Sequence, residues 1–240
     1  MIYLPPFRGF VRIFSIICGV VFVLQALTLY GPWGGREFHL EFVQFFGLVP
    51  ERFFKGLVFQ ALTWIFLHGN FYHLLFNLLA FWMFGSLLEQ VWGTRKFARF
   101  ILLSSCLTGL LVALFSYLDP QSYSVPTIGA SGVVFAILVA VSRLFPNQIV
   151  LFFFIFPMKM RYFAYLMIGI EFYALYSSNQ SGVSNIAHLS GAGVGFILSG
   201  GAGPGLGTKN WLKDFQDRWH QRRMRKKLRI IKIEKKITYH

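Results

Sequence analysis

Residues 56–88 have the sequence GLVFQALTWIFLHGNFYHLLFNLLAFWMFGSLL, which contains no Asp, Glu, Lys or Arg. A helix needs about 20 apolar residues to cross the hydrocarbon core of a bilayer, so this run is too long for one crossing. We place the start of a span near Asn70 and assign residues 56–67 to an outer loop that dips into the membrane. The run therefore predicts a helical membrane protein.

The composition of the whole chain agrees with this prediction. Of its 240 residues, 55% are apolar and 13% are charged, whereas a soluble domain has about 25% charged residues. The net charge of +14 by itself would suit a nucleic-acid-binding protein. However, residues 209–240 hold 12 of the 23 Lys and Arg residues, and a basic segment next to a membrane span is typical of a membrane-surface element. We therefore expect no nucleic-acid partner.

The other apolar runs complete an all-α membrane fold with six transmembrane helices. Residues 13–30 could be the core of a signal peptide, but the stretch is long for one and no small-x-small cleavage site follows it. Residues 146–158 contain two prolines and are too short to cross, so we expect an interfacial connection there. The predicted spans are 10–30, 70–88, 97–118, 129–144, 161–177 and 184–203. We assign residues 1–205 to the membrane domain and 206–240 to a basic tail.

The distribution of Lys and Arg predicts the orientation of these spans. If the N-terminus is cytoplasmic, twenty basic residues fall on inner segments and only Arg36, Arg52 and Lys55 stay outside. Basic residues collect on the cytoplasmic side of membrane proteins, so both termini are expected in the cytoplasm. In the tail, apolar residues fall at helical spacing and basic residues lie off that face, which predicts an amphipathic helix on anionic lipids. The apolar residues are Trp211, Leu212, Phe215 and Trp219. A solvated, disordered tail is the alternative.

Polar side chains within the spans are few, and such groups are costly in a bilayer, so they are candidates for function. They lie at or near the starts of the second, fourth and sixth spans. The predicted orientation puts all five near the outer face: His68, His73, Asn77, Ser131 and His188. This shared depth indicates a single site.

The spacing of the two outer histidines argues against a metal. His68 and His73 are five residues apart and point to different faces of a helix, and no glutamate lies between them as in the HExxH motif. His73 and Asn77 are four residues apart and share a face. An imidazole and an amide side by side could donate hydrogen bonds to a developing oxyanion.

The segment Gly129-Ala-Ser131-Gly132 holds a candidate nucleophile. A serine that begins a helix lies beside free backbone N–H groups and the positive end of the helix dipole. The flanking glycines permit another backbone to approach. Small residues in a span more often serve helix packing, which is the alternative for this segment.

The segment Ala187-His188-Leu-Ser-Gly191-Ala-Gly-Val-Gly195 holds a candidate base. His188, Gly191 and Gly195 fall on one helix face, so this helix could pack closely against the one that begins at Ser131. His188 would then come within reach of the serine hydroxyl and could act as its general base. We expect no acid to orient His188, which predicts a dyad.

With these motifs the chain resembles a rhomboid intramembrane serine protease over residues 50–200. The motifs, in order, are His68-Gly-Asn-Phe-Tyr-His73-Leu-Leu-Phe-Asn77, Glu89-x-x-x-Gly93, Gly129-Ala-Ser131-Gly132 and Ala187-His188-x-x-Gly191-x-x-x-Gly195. The resemblance implies a six-transmembrane-helix rhomboid bundle. It also implies a serine-type endopeptidase, without a cofactor or metal, that cuts membrane protein substrates in or near their transmembrane segments. A bacterial inner (plasma) membrane is the expected location.

The resemblance also implies a role for each motif residue. Ser131 would be the nucleophile and His188 the base. His73, Asn77 and the Ser131 backbone N–H would form the oxyanion hole. His68 would order the site without taking part in the chemistry. The supporting glycines would be Gly129, Gly132, Gly191 and Gly195.

Some residues depart from the family pattern or lie outside it. Phe59-Gln60 stands where the family often has Trp-Arg or Trp-Gln, and Phe135 stands where a tyrosine often underlies the catalytic histidine. Glu89 is expected to be a structural anchor beside Arg95. Glu171 is the only acid well inside a span, and the sequence leaves open whether it faces a water-filled cavity or extends outward. The fifth helix and the loop 177–184 are the expected gate for substrate.

Two other classes of protein compete with a protease. A catalytically inactive relative that binds membrane clients would lack the serine or the histidine, and this chain has both. A transporter would have inverted repeats and charged pairs at mid-membrane, and we find no repeat in the sequence.

Overall fold

The computed structural model describes residues 5–32, 34–119, 122–152, 155–177 and 182–200. Most of these residues are helical, which confirms the all-α membrane class. The helices are α1 (Gly9–Tyr30), α2 (Arg36–Phe46), α3 (Pro50–Phe54), α4 (Gln60–Thr63), α5 (Phe71–Trp92), α6 (Thr94–Tyr117), α7 (Ser131–Leu144), α8 (Met160–Ser177) and α9 (Val183–Ser199). The predicted tail 206–240 and the end of the sixth predicted span lie outside the described residues.

Among the helices that the structure describes, three are long and apolar enough to cross a membrane: α1, α5 and α6. Two shorter apolar helices, α7 and α9, accompany them. Both α1 and α6 expose a stripe of aliphatic side chains at helical spacing, as expected for a surface in contact with lipid. The stripes are Ile13, Ile17, Val20, Leu24 and Leu27 on α1, and Leu103, Leu107, Leu110 and Leu114 on α6. The count of six spans stays a prediction.

Helix α7 is short and lies at the centre of the described helices. Its 14 residues extend about 21 Å at 1.5 Å per residue, less than the roughly 30 Å of a hydrocarbon core. Most of the helix is buried, including the whole run from Phe135 to Val141. A helix that is apolar on all sides is expected in the interior of a bundle. Ser131, at its first residue, can therefore lie below a membrane surface.

Two glycines set the distance between α7 and α9. A Cβ added to Gly191 would lie 2.0 Å from the carbonyl oxygen of Gly132, and one added to Gly195 would lie 2.4 Å from that of Ala136. Both neighbours are backbone atoms, which cannot move aside as a flexible side chain can. The small-residue strip on α9 therefore permits backbone contact with α7, in the manner of the GxxxG motif.

The segment between α1 and α5 contains more helix than the sequence indicated. The membrane-dipping loop at 56–67 includes α4 and a 3₁₀ turn at Trp64–Phe66, and α2 and α3 precede it. Gln60 is fully buried among these short elements. Its side chain accepts a hydrogen bond from Val49 N (3.0 Å) and donates to the carbonyls of Gln44 (2.9 Å) and Phe45 (3.0 Å). The side-chain amide of Gln60 thus joins α4 to the end of α2. The hydrophobic periodicity of so short a segment could not predict this role.

The connection between α7 and α8 forms a β-hairpin, which the sequence analysis did not predict. Strand β1 (Ile149–Phe152) pairs antiparallel with β2 (Phe156–Lys159), with Ile149 opposite Lys159 and Phe152 opposite Phe156. Ile149, Ile155 and Phe156 are exposed. The proline at 157 is compatible with a two-stranded sheet because each strand has an unpaired edge.

Glu89 anchors the start of α1. Its carboxylate accepts hydrogen bonds from the backbone N–H groups of Phe10 (2.7 Å) and Val11 (3.0 Å) and from the hydroxyl of Thr94 (2.7 Å). The first N–H groups of a helix have no intrahelical acceptor, so a carboxylate there satisfies them and complements the helix dipole. These bonds join Glu89 to the start of α1 and to Thr94, the first residue of α6, which agrees with the expected role as a structural anchor.

Candidate functional site

The hydroxyl of Ser131 and the imidazole of His188 are in direct contact. His188 Nε2 lies 2.7 Å from Ser131 Oγ, although the two residues are 57 positions apart in the sequence. Ser131 is the first residue of α7 and His188 lies in the second turn of α9. The close approach of α7 and α9 at Gly191 brings them together. A hydroxyl hydrogen-bonded to an imidazole is the arrangement that activates a serine for nucleophilic attack.

A turn at Gly129 positions the start of α7. Gly129 has φ of +118°, a conformation that side chains rarely adopt. Its N–H donates to the carbonyl of Trp64 at 3.0 Å. A Cβ added to it would lie 2.7 Å from the ring of His73 and 3.8 Å from Ser131 Oγ. The glycine is required here both for its backbone conformation and because the His73 ring leaves no space.

His73 and Asn77 lie one turn apart on α5, and the ring of His73 lies beside Gly129. Asn70 caps the start of the helix, and its side chain accepts a hydrogen bond from the N–H of His73 at 2.8 Å. Asn77 is buried, and its side-chain amide donates to the carbonyl of His73 at 2.8 Å. This bond uses one of the two amide hydrogens, so the other stays available as a donor.

His68 is buried beside His73, with 5.1 Å between the ring centroids. Its Nδ1 lies 3.2 Å from the carbonyl of Phe66. Burial, with a smaller effect of the neighbouring His73, lowers the pKa of His68 to about 4, so its ring is neutral near pH 7. A neutral, enclosed ring agrees with a role in ordering the site.

Sequence reasoning missed a residue of α1 that supports this region. The side chain of Gln25 is buried and pairs with the backbone of His68 in both directions. Gln25 Oε1 accepts from His68 N at 3.0 Å, and Gln25 Nε2 donates to His68 O at 3.4 Å. Gln25 could have been recognised from the sequence, because it is a polar residue within the first predicted span and a buried amide in a membrane needs hydrogen-bond partners.

Phe135 lies flat against the imidazole of His188. The ring centroids are 4.7 Å apart and the planes differ by 10°. Phe135 is one turn along α7 from Ser131, so a single helix supplies both the group that contacts Nε2 and the surface beneath the ring. The aromatic contact is retained with a phenylalanine at this position.

The expectation that no acid lies beside His188 is wrong. Glu171 Oε1, on α8, is 2.9 Å from His188 Nδ1, and both side chains are largely buried. The other carboxylate oxygen accepts a hydrogen bond from Asn185 Nδ2 at 2.7 Å. Asn185 was also missed in the sequence. Glu171 therefore faces the candidate site and does not extend outward.

In the part of the chain that the structure describes, no group of three His, Cys, Asp or Glu side chains could hold a metal ion. Cys18 is buried in α1, and Cys106 is exposed on α6. The site contains a serine, histidines, amides and one carboxylate, which are groups that take part in acyl transfer.

The chain is similar to the members of one known protein family. A family model for the rhomboid domain matches residues 55–203. The rhomboid protease AarA of Providencia stuartii is 28% identical over 151 residues, which cover 55% of this chain and 52% of that protein. The mitochondrial rhomboid protein 1 of Saccharomyces cerevisiae is 37% identical over 93 residues, which cover 38% of this chain and 26% of that protein.

A third relative aligns over most of its length. The rhomboid protease GlpG of Haemophilus influenzae is 25% identical over 187 residues, which cover 77% of this chain and 86% of that protein. The match to the family model begins after α3 and extends past α9, so it includes every residue of the site described above except Gln25. With its long apolar helices, the chain is an integral membrane protein, and it belongs to the rhomboid family.

Proposed function

We propose that this protein is an intramembrane serine endopeptidase that hydrolyses peptide bonds in or near the transmembrane segments of membrane protein substrates. The observation that carries the proposal is the 2.7 Å contact between Ser131 Oγ and His188 Nε2. Two relatives, AarA and GlpG, are named as rhomboid proteases, which supports the same activity for this chain.

In the first step, Ser131 attacks the carbonyl carbon of the scissile bond. His188 Nε2 accepts the hydroxyl proton as the new C–O bond forms, and the carbonyl oxygen becomes an oxyanion. His188 then gives this proton to the leaving nitrogen as the C–N bond breaks. The product with the new amino terminus departs, and the rest of the substrate stays on Ser131 as an ester.

We propose that donors from two helices, α7 and α5, stabilise the oxyanion. The backbone N–H of Ser131 is one, because it lies in the first turn of α7, where N–H groups have no intrahelical acceptor. The side chains of His73 and Asn77 supply the others from α5. Donors fixed before the reaction need no reorganisation when the charge develops, which is why such groups lower the barrier.

Water completes the reaction. His188 removes a proton from a water molecule, which attacks the ester carbonyl, and the same donors hold the second oxyanion. Return of the proton to Ser131 releases the carboxyl product. The shortness of α7 supports access of this water, since a serine at the start of a 14-residue helix can be reached through a cavity that opens from one side of the membrane.

The substrate class follows from the depth of the site. A transmembrane helix must unwind locally before its backbone can reach Ser131, so substrates with Gly, Ala or Pro near the cut are favoured. We propose α8 as the route of entry, because Glu171 of this helix contacts His188 and many of its side chains are exposed, among them Tyr165, Phe172 and Tyr173. Residues 178–181 of the loop that the sequence also indicated lie outside the described residues.

A fluorophosphonate probe tests for an activated serine. We expect the purified wild-type protein to be labelled at one position, Ser131, because only a serine with an adjacent base reacts with such probes. Mass spectrometry of the labelled peptides identifies the position. Ser124 is exposed but bonded to Glu51, and Ser124→Ala serves as the matched control that should label normally. Labelling that survives Ser131→Ala would contradict the proposed nucleophile.

We further propose that both termini face the cytoplasm, in a plasma membrane of bacterial type, and that the basic tail contacts anionic lipids. Twenty basic residues on the inner segments against three on the outer ones support this orientation. In this orientation α7 begins on the side of the membrane away from the cytoplasm. We therefore propose that water enters the site from the outer side.

A cysteine accessibility experiment checks the orientation. In a background with Cys18→Ala and Cys106→Ala, Glu37→Cys should react with an impermeant thiol reagent in intact cells, whereas Tyr239→Cys should react only after the cells are opened. The charge distribution is the physical reason. Reaction of Tyr239→Cys in intact cells, with Glu37→Cys protected, would reverse the orientation.

A further inference from the structure

We propose that Glu171 is a positioning residue for His188, so that the catalytic unit has three members, Ser131, His188 and Glu171. This rests on the proposed protease function. The observation behind it is that both ring nitrogens of His188 have a close polar neighbour: Ser131 Oγ at 2.7 Å from Nε2 and Glu171 Oε1 at 2.9 Å from Nδ1.

The carboxylate of Glu171 lies where it favours the tautomer of His188 that can act as a base toward Ser131. A neutral imidazole has one N–H and one lone pair. A carboxylate oxygen beside Nδ1 favours the proton on that nitrogen, which leaves the Nε2 lone pair free to accept the proton of Ser131. The negative charge also stabilises the imidazolium that forms when this proton is transferred.

The ring of His188 is held on three sides. Phe135 covers one face at 4.7 Å, with the planes nearly parallel. Glu171 in turn is fixed through its second oxygen, which accepts from Asn185 at 2.7 Å. Asn185 precedes His188 by less than one turn on α9, so the carboxylate is tied to the same helix that carries the base. This chain of contacts leaves the imidazole little freedom to rotate.

His188 Nδ1 and Glu171 Oε1 are 2.9 Å apart, but the N–H bond does not point closely enough at the oxygen to form a hydrogen bond in the structure. Hydrogen bonds of catalytic groups are often poorly aligned before substrate binds and become linear in the reacting complex. A small rotation of either side chain suffices here, because the separation of the two atoms is already that of a hydrogen bond.

A purely structural role for Glu171 is the competing explanation. An ionised group inside a span is costly without partners, and the bond to Asn185 could serve only to join α8 to α9. The two roles differ in what a neutral isostere would do. Glutamine in place of Glu171 retains an oxygen that accepts from Asn185, but it removes the charge beside Nδ1.

The test compares Glu171→Gln with wild type in cleavage of a transmembrane substrate by the full-length protein in liposomes. We expect kcat to fall roughly 10- to 100-fold with KM unchanged, as a fraction of the roughly 10²–10⁴-fold contribution of a general base. Glu171→Asp, which retains the charge, should recover part of the loss. The melting temperature of Glu171→Gln should stay near that of wild type, and its rate of fluorophosphonate labelling should fall with kcat.

Two further variants make the result decisive. Glu41→Gln removes a carboxylate from the exposed side of α2 and should leave kcat unchanged. Adding Glu171→Gln to His188→Ala should not lower the residual rate further, because Glu171 acts through His188. Normal kcat in Glu171→Gln, or a loss explained by a lower melting temperature, would overturn the proposal while the protease function stood. Absence of cleavage by the wild type would instead overturn the proposed function.

Discussion

Ser131→Ala and His188→Ala should each reduce cleavage of a transmembrane substrate to the background rate. The two atoms in contact, Ser131 Oγ and His188 Nε2, are the nucleophile and the base of the proposed mechanism, and neither can be replaced by a neighbour. Loss of either group in serine proteases costs at least about 10⁴-fold in rate. The double variant should be no slower than the single ones, because the two residues act as a unit.

The controls for this experiment come from the same part of the molecule. Ser142→Ala removes a hydroxyl from α7 that bonds within its own helix, to the carbonyl of Val139. His39→Ala removes an imidazole of α2 that contacts the hydroxyl of Thr28 and the backbone carbonyl of Gln25. Both should cleave at nearly the wild-type rate, and all variants should have similar melting temperatures. Substantial cleavage by folded Ser131→Ala or His188→Ala protein would refute their assigned roles.

His73→Ala should lower kcat by about 10²–10³-fold, the range measured for removal of one oxyanion donor, with little change in KM. Asn77→Ala should cost less, roughly tenfold, because other donors to the same oxyanion remain. The amide of Asn77 already donates one of its hydrogens to the carbonyl of His73, which is a further reason to expect the smaller effect. The oxyanion exists only during turnover, so substrate binding is not affected.

A packing role for the same pair makes the opposite prediction. His73 fills the space beside Gly129, and its loss could loosen the turn that positions Ser131. In that case the melting temperature would fall, and activity per folded molecule would stay normal. Melting temperature and turnover measured on the same purified variants separate the two roles. Normal turnover per folded molecule in both variants would mean that the oxyanion hole is built from other groups.

The long helices could be predicted from the sequence because each depends on local information. Apolar runs of sufficient length must be helical in a bilayer, where every backbone polar group needs an internal partner. The short elements could not be predicted in this way. Helix α4 has four residues and the strands of the hairpin have four each, too few for a periodic pattern to be recognised.

The identity of the polar residues at the site was also available from the sequence. Ser131 and His188 stood out because polar groups are rare in the spans, and the glycines after His188 indicated a close helix contact. The structure adds that an extra Cβ at Gly191 would overlap the backbone of Gly132. The sequence thus determined which residues could form the site and which helices could approach closely enough to join them.

The tertiary structure alone decided what surrounds His188. Glu171 was visible in the sequence as an acid within a span, but its direction depends on the rotation of α8 about its axis. That rotation is set by packing against α9, where the contacts to Asn185 and His188 are made. The same holds for Gln25, whose bonds to His68 cross 43 positions of sequence. Such pairings follow from how whole helices pack, because the residues involved share no local pattern that sequence could reveal.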